Sequence, residues 1–140
     1  MRNTLYSTLY SLLKKGDVER RTIFPDKVAL YQNGEEKYKE GDGDWENPDL
    51  IENIKPEPHL VIFGGGHVSK AIAEMAQIVE MKVTVIDERE EVLNRDRFNH
   101  GEELILEPYS SFLKKESPFF RPYYIIVTHG HAYDRACLEW

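Results

Sequence analysis

The sequence predicts an α/β fold built on a doubly wound parallel sheet, with a small helix and a β-hairpin in front of it. An apolar run that ends at Phe63 leads directly into the glycine turn Gly64–Gly66 and then into a segment with helical periodicity. A second apolar run ends in the carboxylate Asp87, about twenty residues after Gly66, which is the spacing of a dinucleotide-binding βαβ unit. Strand-like and helix-like segments alternate to the end of the chain, so we predict a Rossmann-like sheet.

Residues 1–55 are predicted to form a small N-terminal segment that ends in a linker. Leucines recur on one face of a predicted helix over residues 4–15, which Gly16 ends. These leucines are Leu5, Leu9, Leu12 and Leu13. The pair Asn33-Gly34 lies between strand-like runs and predicts a tight turn between antiparallel strands. Glycines and prolines make residues 41–58 a predicted polar linker, with the domain boundary between residues 46 and 57.

Residues 56–140 are predicted to form the Rossmann-like domain, with four parallel strands in the order 3-2-1-4 and right-handed crossovers. The first helix is predicted to lay an apolar stripe on the sheet, formed by Val68, Ala71, Ile72, Met75, Ala76 and Val79. A short charged helix is predicted over 90–98, a third strand over 104–106 and a brief helical crossover over 110–115. The apolar run 123–128 predicts a last strand that is buried on both faces.

The composition excludes several classes of function. The 140 residues carry a net charge of −7, which argues against binding to the nucleic-acid backbone. No apolar run approaches the roughly 18 residues of a membrane span, and the N-terminus does not resemble a secretory signal. Cys137 is the one cysteine, which excludes an intramolecular disulfide or a thiolate zinc cluster. We therefore expect a cytoplasmic protein that binds neither nucleic acid nor membrane.

The end of the chain bears on self-association. Residues 132–140 are predicted to begin a helix that no strand follows, so we expect either a sheet short of one strand or a fragment of a longer protein. An uncovered sheet edge favours pairing with a second copy, which makes a homodimer an expectation.

The glycine turn predicts a binding site for a phosphorylated ligand. Gly64 permits a tight turn, and Gly66 lets the backbone approach a pyrophosphate, which the N-terminus of the following helix favours. Asp87 is placed to accept hydrogen bonds from a ribose 2′-OH and to repel a 2′-phosphate. Ser69 replaces the third glycine of the usual pattern with another small residue. The alternative is a Rossmann-like unit whose glycine turn binds no nucleotide.

Histidines follow two strands that the predicted order makes neighbours. His67 leaves the first strand, while His129 and His131 leave the fourth together with Thr128 and Asp134. The carboxyl ends of these two strands flank the topological switch point, where open α/β sheets bind ligands. We therefore expect the three imidazoles to meet at one crevice.

Three roles are open to these histidines. His67, His129 and His131 could ligate a divalent metal, with Asp134 as a fourth ligand. They could act as acid–base groups near neutral pH, or hydrogen-bond a phosphorylated cofactor. The alternative is that His67 merely caps a loop and one of the other two is solvated. The metallo-β-lactamase pattern is excluded because Asp134 comes one residue late and no histidine follows it. The phosphate-loop NTPase motif is absent as well.

Three stretches resemble the Rossmann domain of the XdhC/CoxI family, the accessory factors of xanthine dehydrogenase and related molybdenum hydroxylases. They are Pro58-His-Leu-Val-Ile-Phe-Gly-Gly-Gly-His67-Val, Val83-Thr-Val-Ile-Asp-Glu-Arg89 and Val127-Thr-His-Gly-His131-Ala-Tyr-Asp134. They contain the patterns Gly-x-Gly-His-Val, Asp-x-Arg and Thr-x-x-His-x-x-Asp in the same order as the family does. The resemblance covers roughly residues 56–140.

The resemblance implies a maturation factor that binds the molybdenum cofactor (molybdopterin), supports its sulfuration and delivers it to the apo-hydroxylase, without turnover of its own. A pterin that bears a phosphate or nucleotide would then lie in the crevice. The candidate cofactor-binding residues are Gly64, Gly65, Gly66, His67, Val68, Asp87, Arg89, Thr128, His129, His131 and Asp134. The implied partner is a xanthine dehydrogenase-like client enzyme.

Two other functions stay open on the sequence. One is an NAD(H)-dependent oxidoreductase in which a histidine donates a proton, although the N-terminal segment is small for a substrate domain; the expected cofactor is thus molybdopterin or NAD(P). The other is a nucleotide-sensing regulatory domain, which shares the glycine turn and the acidic residue but does not call for His129-Gly-His131.

Overall fold

A computed structural model describes residues 2–140 of the chain, which divides into two compact units, Met1–Pro56 and Glu57–Trp140. The first unit holds one helix and an antiparallel sheet, and the second holds a parallel sheet with helices. Within the described residues, none of the helices is both long enough and apolar enough to span a bilayer.

The first unit packs one helix against a four-stranded antiparallel sheet of strand order β3-β2-β1-β4. Its elements are α1 (Arg2–Leu13), β1 (Val18–Ile23), β2 (Lys27–Gln32), β3 (Glu35–Glu40) and β4 (Leu50–Ile54). Leu12 is buried with Val18 and Leu30, and the other three predicted leucines pack around them, which confirms the apolar face of the helix. Asn33 and Gly34 have φ values of 54° and 79°, so the predicted tight turn joins β2 to β3.

The predicted linker is partly wrong, because β4 lies inside it. This strand pairs antiparallel with β1, with Ile54 opposite Val18 and Glu52 opposite Arg20. The Nη2 atom of Arg20 lies 2.6 Å from Oε2 of Glu52 across the pair. Nearby prolines suggest a break in structure, but the strand is stabilised by a partner some thirty residues earlier, which local composition does not reveal.

The second unit is a four-stranded parallel sheet of order β7-β6-β5-β8. Its elements are β5 (His59–Phe63), α2 (His67–Ile78), β6 (Lys82–Asp87), β7 (Glu103–Leu106), α3 (Tyr109–Phe112), β8 (Tyr123–Ile126) and α4 (Asp134–Glu139). Numbered within this unit, the order is 3-2-1-4, as predicted. One core packs α2 against the sheet, and a second core packs Tyr109, Phe112 and Cys137 against Phe63 and its neighbours.

The strand β8 is not buried on both faces, contrary to the prediction. Tyr123 is 64% exposed and Tyr124 is 44% exposed. The reason is position: β8 is an edge strand that pairs only with β5, so its apolar composition does not imply full coverage.

The predicted apolar stripe of α2 is also wrong in part. The buried residues of this helix are Ser69, Ala73 and Ala76, whereas Val68 is 60% exposed and Met75 67% exposed. Small side chains at these positions let the helix lie close to the sheet, which moves the larger apolar residues to its flank. Ile72 and Ala76 are the members of the predicted stripe that pack against the core.

The predicted helix over 90–98 is replaced by a series of turns. The side-chain amide of Asn94 donates to the carbonyls of Glu90 and Glu91, at 3.1 and 3.2 Å. Such side-chain bonds compete with the helical ladder, since they occupy carbonyls that helical N–H groups would otherwise reach. Leu93 and Phe98 still bury their side chains in the core beside α2.

Candidate functional site

A pocket of about 780 Å³ opens at the carboxyl ends of β5 and β8. It is lined by Gly66, His67, Val68, Ser69, Arg89, Glu91, Val92, Arg97, Ile126, Val127, Thr128, His129, Gly130, His131 and Asp134. The three histidines therefore share one pocket, as the strand order predicts, while their chemical roles stay predictions. Gly64, Gly65 and Asp87 belong to the candidate residues but do not line it.

Gly64 holds three strands together behind this pocket. Its N–H donates to the carbonyl of Ile86 at 2.8 Å, and the carbonyl of the preceding Phe63 accepts from the N–H of Val127 at 2.9 Å. Its φ is +115°, and a Cβ at this position would lie 2.2 Å from the carbonyl oxygen of Val127. A glycine is thus required here by both conformation and space.

The helix α2 points its N-terminus into the pocket. Gly66 is the N-cap, and among the described residues no side chain caps this end. The first helical bond runs from the N–H of Lys70 to the carbonyl of Gly66, so the N–H groups of the first turn are available to an anion. A Cβ at Gly66 would meet nothing within 4 Å, which shows that this face of the turn is open.

Ser69 also belongs to this wall, but its hydroxyl is closed to solvent. The residue is fully buried, and within residues 2–140 its Oγ has no hydrogen-bond partner. Such an unpaired buried hydroxyl is costly to the fold and offers no exposed surface to a ligand. Sequence reasoning treated Ser69 as a packing residue in place of glycine, and its full burial agrees with that interpretation.

Both carboxylate oxygens of Asp87, the predicted ribose acceptor, accept hydrogen bonds from within the protein. Its Oδ2 accepts from the N–H of Gly65 at 2.7 Å and from Nη2 of Arg89 at 2.8 Å. Its Oδ1 accepts from the N–H and the Nε of Arg89, at 2.9 and 3.0 Å. The side chain is 1% exposed. Burial alone would raise the pKa of Asp87, but the Arg89 guanidinium and these N–H groups outweigh it and lower that pKa.

Two arginines flank the glycine turn. Arg89, one of the candidate cofactor-binding residues, forms an ion pair with Asp87 and also lines the pocket. Nη1 of Arg97 donates to the carbonyls of Gly65 and Val92, at 2.8 and 2.7 Å. Arg97 was missed from the sequence, because it was assigned to a charged helix and no motif marks it. Gly65 is therefore held on its N–H side by Asp87 and on its carbonyl side by Arg97.

Asp134 organises the histidine loop on the other side of the pocket. Its Oδ1 accepts from the hydroxyl and the N–H of Thr128, and its Oδ2 lies 2.8 Å from Nδ1 of His131. The Thr128 hydroxyl and His131 both lower the pKa of Asp134. The imidazole of His131 is oriented by this contact, and its 88% exposed side chain leaves Nε2 for a ligand or for solvent.

The structure does not assemble the predicted metal site. Across residues 2–140, no group of three or more His, Cys, Asp or Glu side chains is arranged to hold a metal ion. His67, His129 and His131 line the same pocket but are exposed and are not arranged as a ligand set. Asp134, the proposed fourth ligand, is occupied by Thr128 and His131.

Cys137 lies in the core on the α3 side of the sheet, away from the pocket wall. Burial raises the pKa of this thiol to about 11, with Asp134 adding to the effect. Since the thiolate is the reactive form, this position does not suit a sulfur carrier.

We expect the Cys137 thiol to react slowly in the native protein. Raising the pKa from 9.0 to about 11 lowers the thiolate fraction near pH 8 by about a hundredfold, and burial restricts access further. Reaction with a disulfide reagent should therefore be about a hundredfold slower or more before unfolding than after it in denaturant. Equal rates in the two states would contradict the buried position.

Comparisons with known proteins give a family match and a structural match. A family model described as the XdhC Rossmann domain matches residues 60–140, which is more than half of the chain. A crystal structure from Bacillus halodurans, described as a xanthine dehydrogenase, is similar with a TM-score of 0.75 and 20% sequence identity. The match covers 99% of this chain and 48% of that one, so this chain spans about half of its length. No curated protein matched.

Proposed function

Since the chain belongs to the family of the XdhC Rossmann domain, we propose that it is an accessory factor for a molybdenum hydroxylase of the xanthine dehydrogenase type. In this proposal it binds a phosphorylated cofactor of molybdopterin or nucleotide type and presents it to the client enzyme. Its own residues hold and orient the ligand and carry out no turnover.

The observation that carries the proposal is the uncapped N-terminus of α2, which lies in the wall of the large pocket beside two guanidinium groups. Helix N-termini favour anions, because unpaired N–H groups and the helix dipole both point at the ligand. These groups fit a phosphate, which molybdopterin and nucleotides share.

The remaining pocket residues suit the rest of such a ligand. His129 and His131 are exposed at the β8 side of the pocket, where imidazole nitrogens can donate to or accept from a pterin edge. The cofactor, when bound, would supply the reactive metal group that the client uses. The buried Cys137 favours holding and delivery by this chain over sulfur transfer through its own thiol.

The proposal is tested by identifying the ligand that co-purifies with the protein and by measuring the activation of a client enzyme. The chain should be purified from cells that make molybdenum cofactor, and the released ligand identified by absorbance and mass spectrometry. We expect a phosphorylated pterin or nucleotide, and a faster activation of an apo-hydroxylase when the loaded chain is added. A chain that carries neither and leaves activation unchanged would overturn the proposed function.

The variant Gly66→Ala tests the location of the ligand. Its Cβ would project into open space, so the cost in free energy of unfolding should not exceed about 1 kcal/mol, which is what alanine costs at an N-cap. Gly66 lines the pocket, where a glycine lets a ligand approach the backbone closely, so the content of bound ligand should fall by about tenfold. Lys70→Gln, on α2 but outside the pocket wall, is the matched control. An unchanged ligand content in Gly66→Ala would place the ligand elsewhere.

A further inference from the structure

The carboxylate that ends β6 has no acceptor capacity left for a ligand. An ionised carboxylate offers about four lone-pair positions, two on each oxygen. In Asp87 these are taken by the N–H of Gly65, the N–H of Arg89, and the Nε and Nη2 of Arg89. A ribose 2′-OH that approached Asp87 would have to displace one of these bonds in a fully buried site.

Two arginines line the pocket at this end. Arg89 lines the wall, with its Nε and Nη2 turned towards Asp87. Arg97 lines the same wall and bonds to two carbonyl oxygens, and it forms no ion pair within the described part of the chain. A carbonyl does not neutralise a guanidinium, so Arg97 keeps its full positive charge there. Glu91 is the carboxylate that also lines this side, and it is exposed.

We infer that the ligand presents a phosphate, and not a ribose diol, to the end of the pocket that follows β6, where Arg97 and Arg89 recognise it. The inference rests on the proposed function only in that the pocket binds a phosphorylated small molecule. The position of Asp87 in the sequence predicts a preference for a ribose diol. The inference reverses that preference, because Asp87 bonds to Arg89 within the protein and orients it. A guanidinium fork matches a phosphate in both charge and geometry.

The uncapped N-terminus of α2 supports an anionic ligand in the same pocket independently of the arginines. Ser69 lies in the first turn of α2, and Gly65, which both Asp87 and Arg97 contact, immediately precedes the N-cap. A ligand with phosphates at both places would thus bridge the helix N-terminus and the arginines.

The test compares ligands that differ by a single phosphate. Binding of NADP⁺ and NAD⁺, and of 2′,5′-ADP and AMP, is measured by titration calorimetry on the full chain. We expect the member with the extra 2′-phosphate to bind at least about tenfold more tightly in each pair, an advantage that falls as salt rises. Arg97→Gln should remove most of this advantage, Arg97→Lys should retain part of it, and Lys70→Gln should leave it unchanged.

The ratio of the wild-type affinities within each ligand pair tests the inference without any variant. Equal affinities within a pair, tighter binding of NAD⁺, or no binding of either member would each overturn it. The outcome is separable from that of the proposed function, which depends on the co-purified ligand and on activation of a client. A clear preference for the phosphorylated probes without client activation would uphold the phosphate site and reject the accessory role.

Discussion

Replacing Gly64 with alanine is expected to lower the free energy of unfolding of the second unit by at least about 4 kcal/mol, a large fraction of the roughly 5–15 kcal/mol that stabilises a typical domain. The new Cβ would lie 2.2 Å from the carbonyl oxygen and 2.8 Å from the carbonyl carbon of Val127. Both are backbone atoms of the segment that leaves β8, so neither can rotate away as a side chain would. The φ of +115° adds strain for any residue with a Cβ.

The measurement needs a signal from the second unit alone. The two tryptophans are Trp45, in the first unit, and Trp140, whose ring packs against Phe63 and Phe112 in the second. Urea unfolding followed by Trp140 fluorescence in a Trp45→Phe background therefore reports on the parallel sheet. Gly66→Ala is the control, two residues along the same turn with open space around its Cβ. Similar midpoints for the two alanine variants would contradict the close approach at Gly64.

Sequence reasoning succeeded where a local pattern and a topological rule act together. The glycine turn after β5 and the acid that ends β6 mark one βαβ unit, and the order of all four strands is the one that the doubly wound pattern predicts. That order alone is enough to bring His67 and His131 to one pocket. In the first unit, Asn33-Gly34 determines its hairpin because few residue pairs tolerate two positive φ values in succession.

The failures share a physical cause, which is that burial is decided by neighbours distant in sequence. The stripe on α2 contains large apolar residues, yet Ser69 and Ala73 face the sheet because close packing there has room only for small groups. The strand β8 has a core-like composition but lies at an edge. The strand β4 exists because β1 is there to pair with it.

At the candidate site, too, contacts that the sequence pattern does not reveal determine what each side chain does. Asp87 has the position of a ribose acceptor, but its role is set by Arg89, two residues later, which folds back onto it. Arg97 reaches Gly65 across thirty-two positions through a series of turns that no periodicity predicts. A motif can thus lead to the pocket without showing which of its side chains are already engaged within the protein.

The second large effect is expected from Asp87→Asn. The substitution keeps the shape but removes the negative charge and turns an NH₂ group towards donors that now lack an acceptor, namely the N–H of Gly65 or the guanidinium of Arg89. Removing one partner of a buried ion pair costs about 3–5 kcal/mol, and because Arg89 is 26% exposed we expect about 2–3 kcal/mol at neutral pH. Asp96→Asn, an exposed position nearby in sequence, is expected to have little effect.

The pH dependence of this loss identifies the charge as its cause. The pKa of Asp87 is lowered in the folded protein, so its stabilising effect is complete above the unfolded value of about 3.9 and is lost as the pH falls through the folded value. The wild-type protein should therefore lose stability more steeply than Asp87→Asn below about pH 4, and the difference between them should shrink. Other acids with lowered pKa values, such as Asp134, are common to both proteins and cancel in that difference. The difference in stability is measured by urea unfolding of both proteins in the Trp45→Phe background, followed by Trp140 fluorescence between about pH 7 and pH 3. A difference that stays constant over this range would mean that the loss comes from the misplaced NH₂ donor of Asn and not from the missing charge.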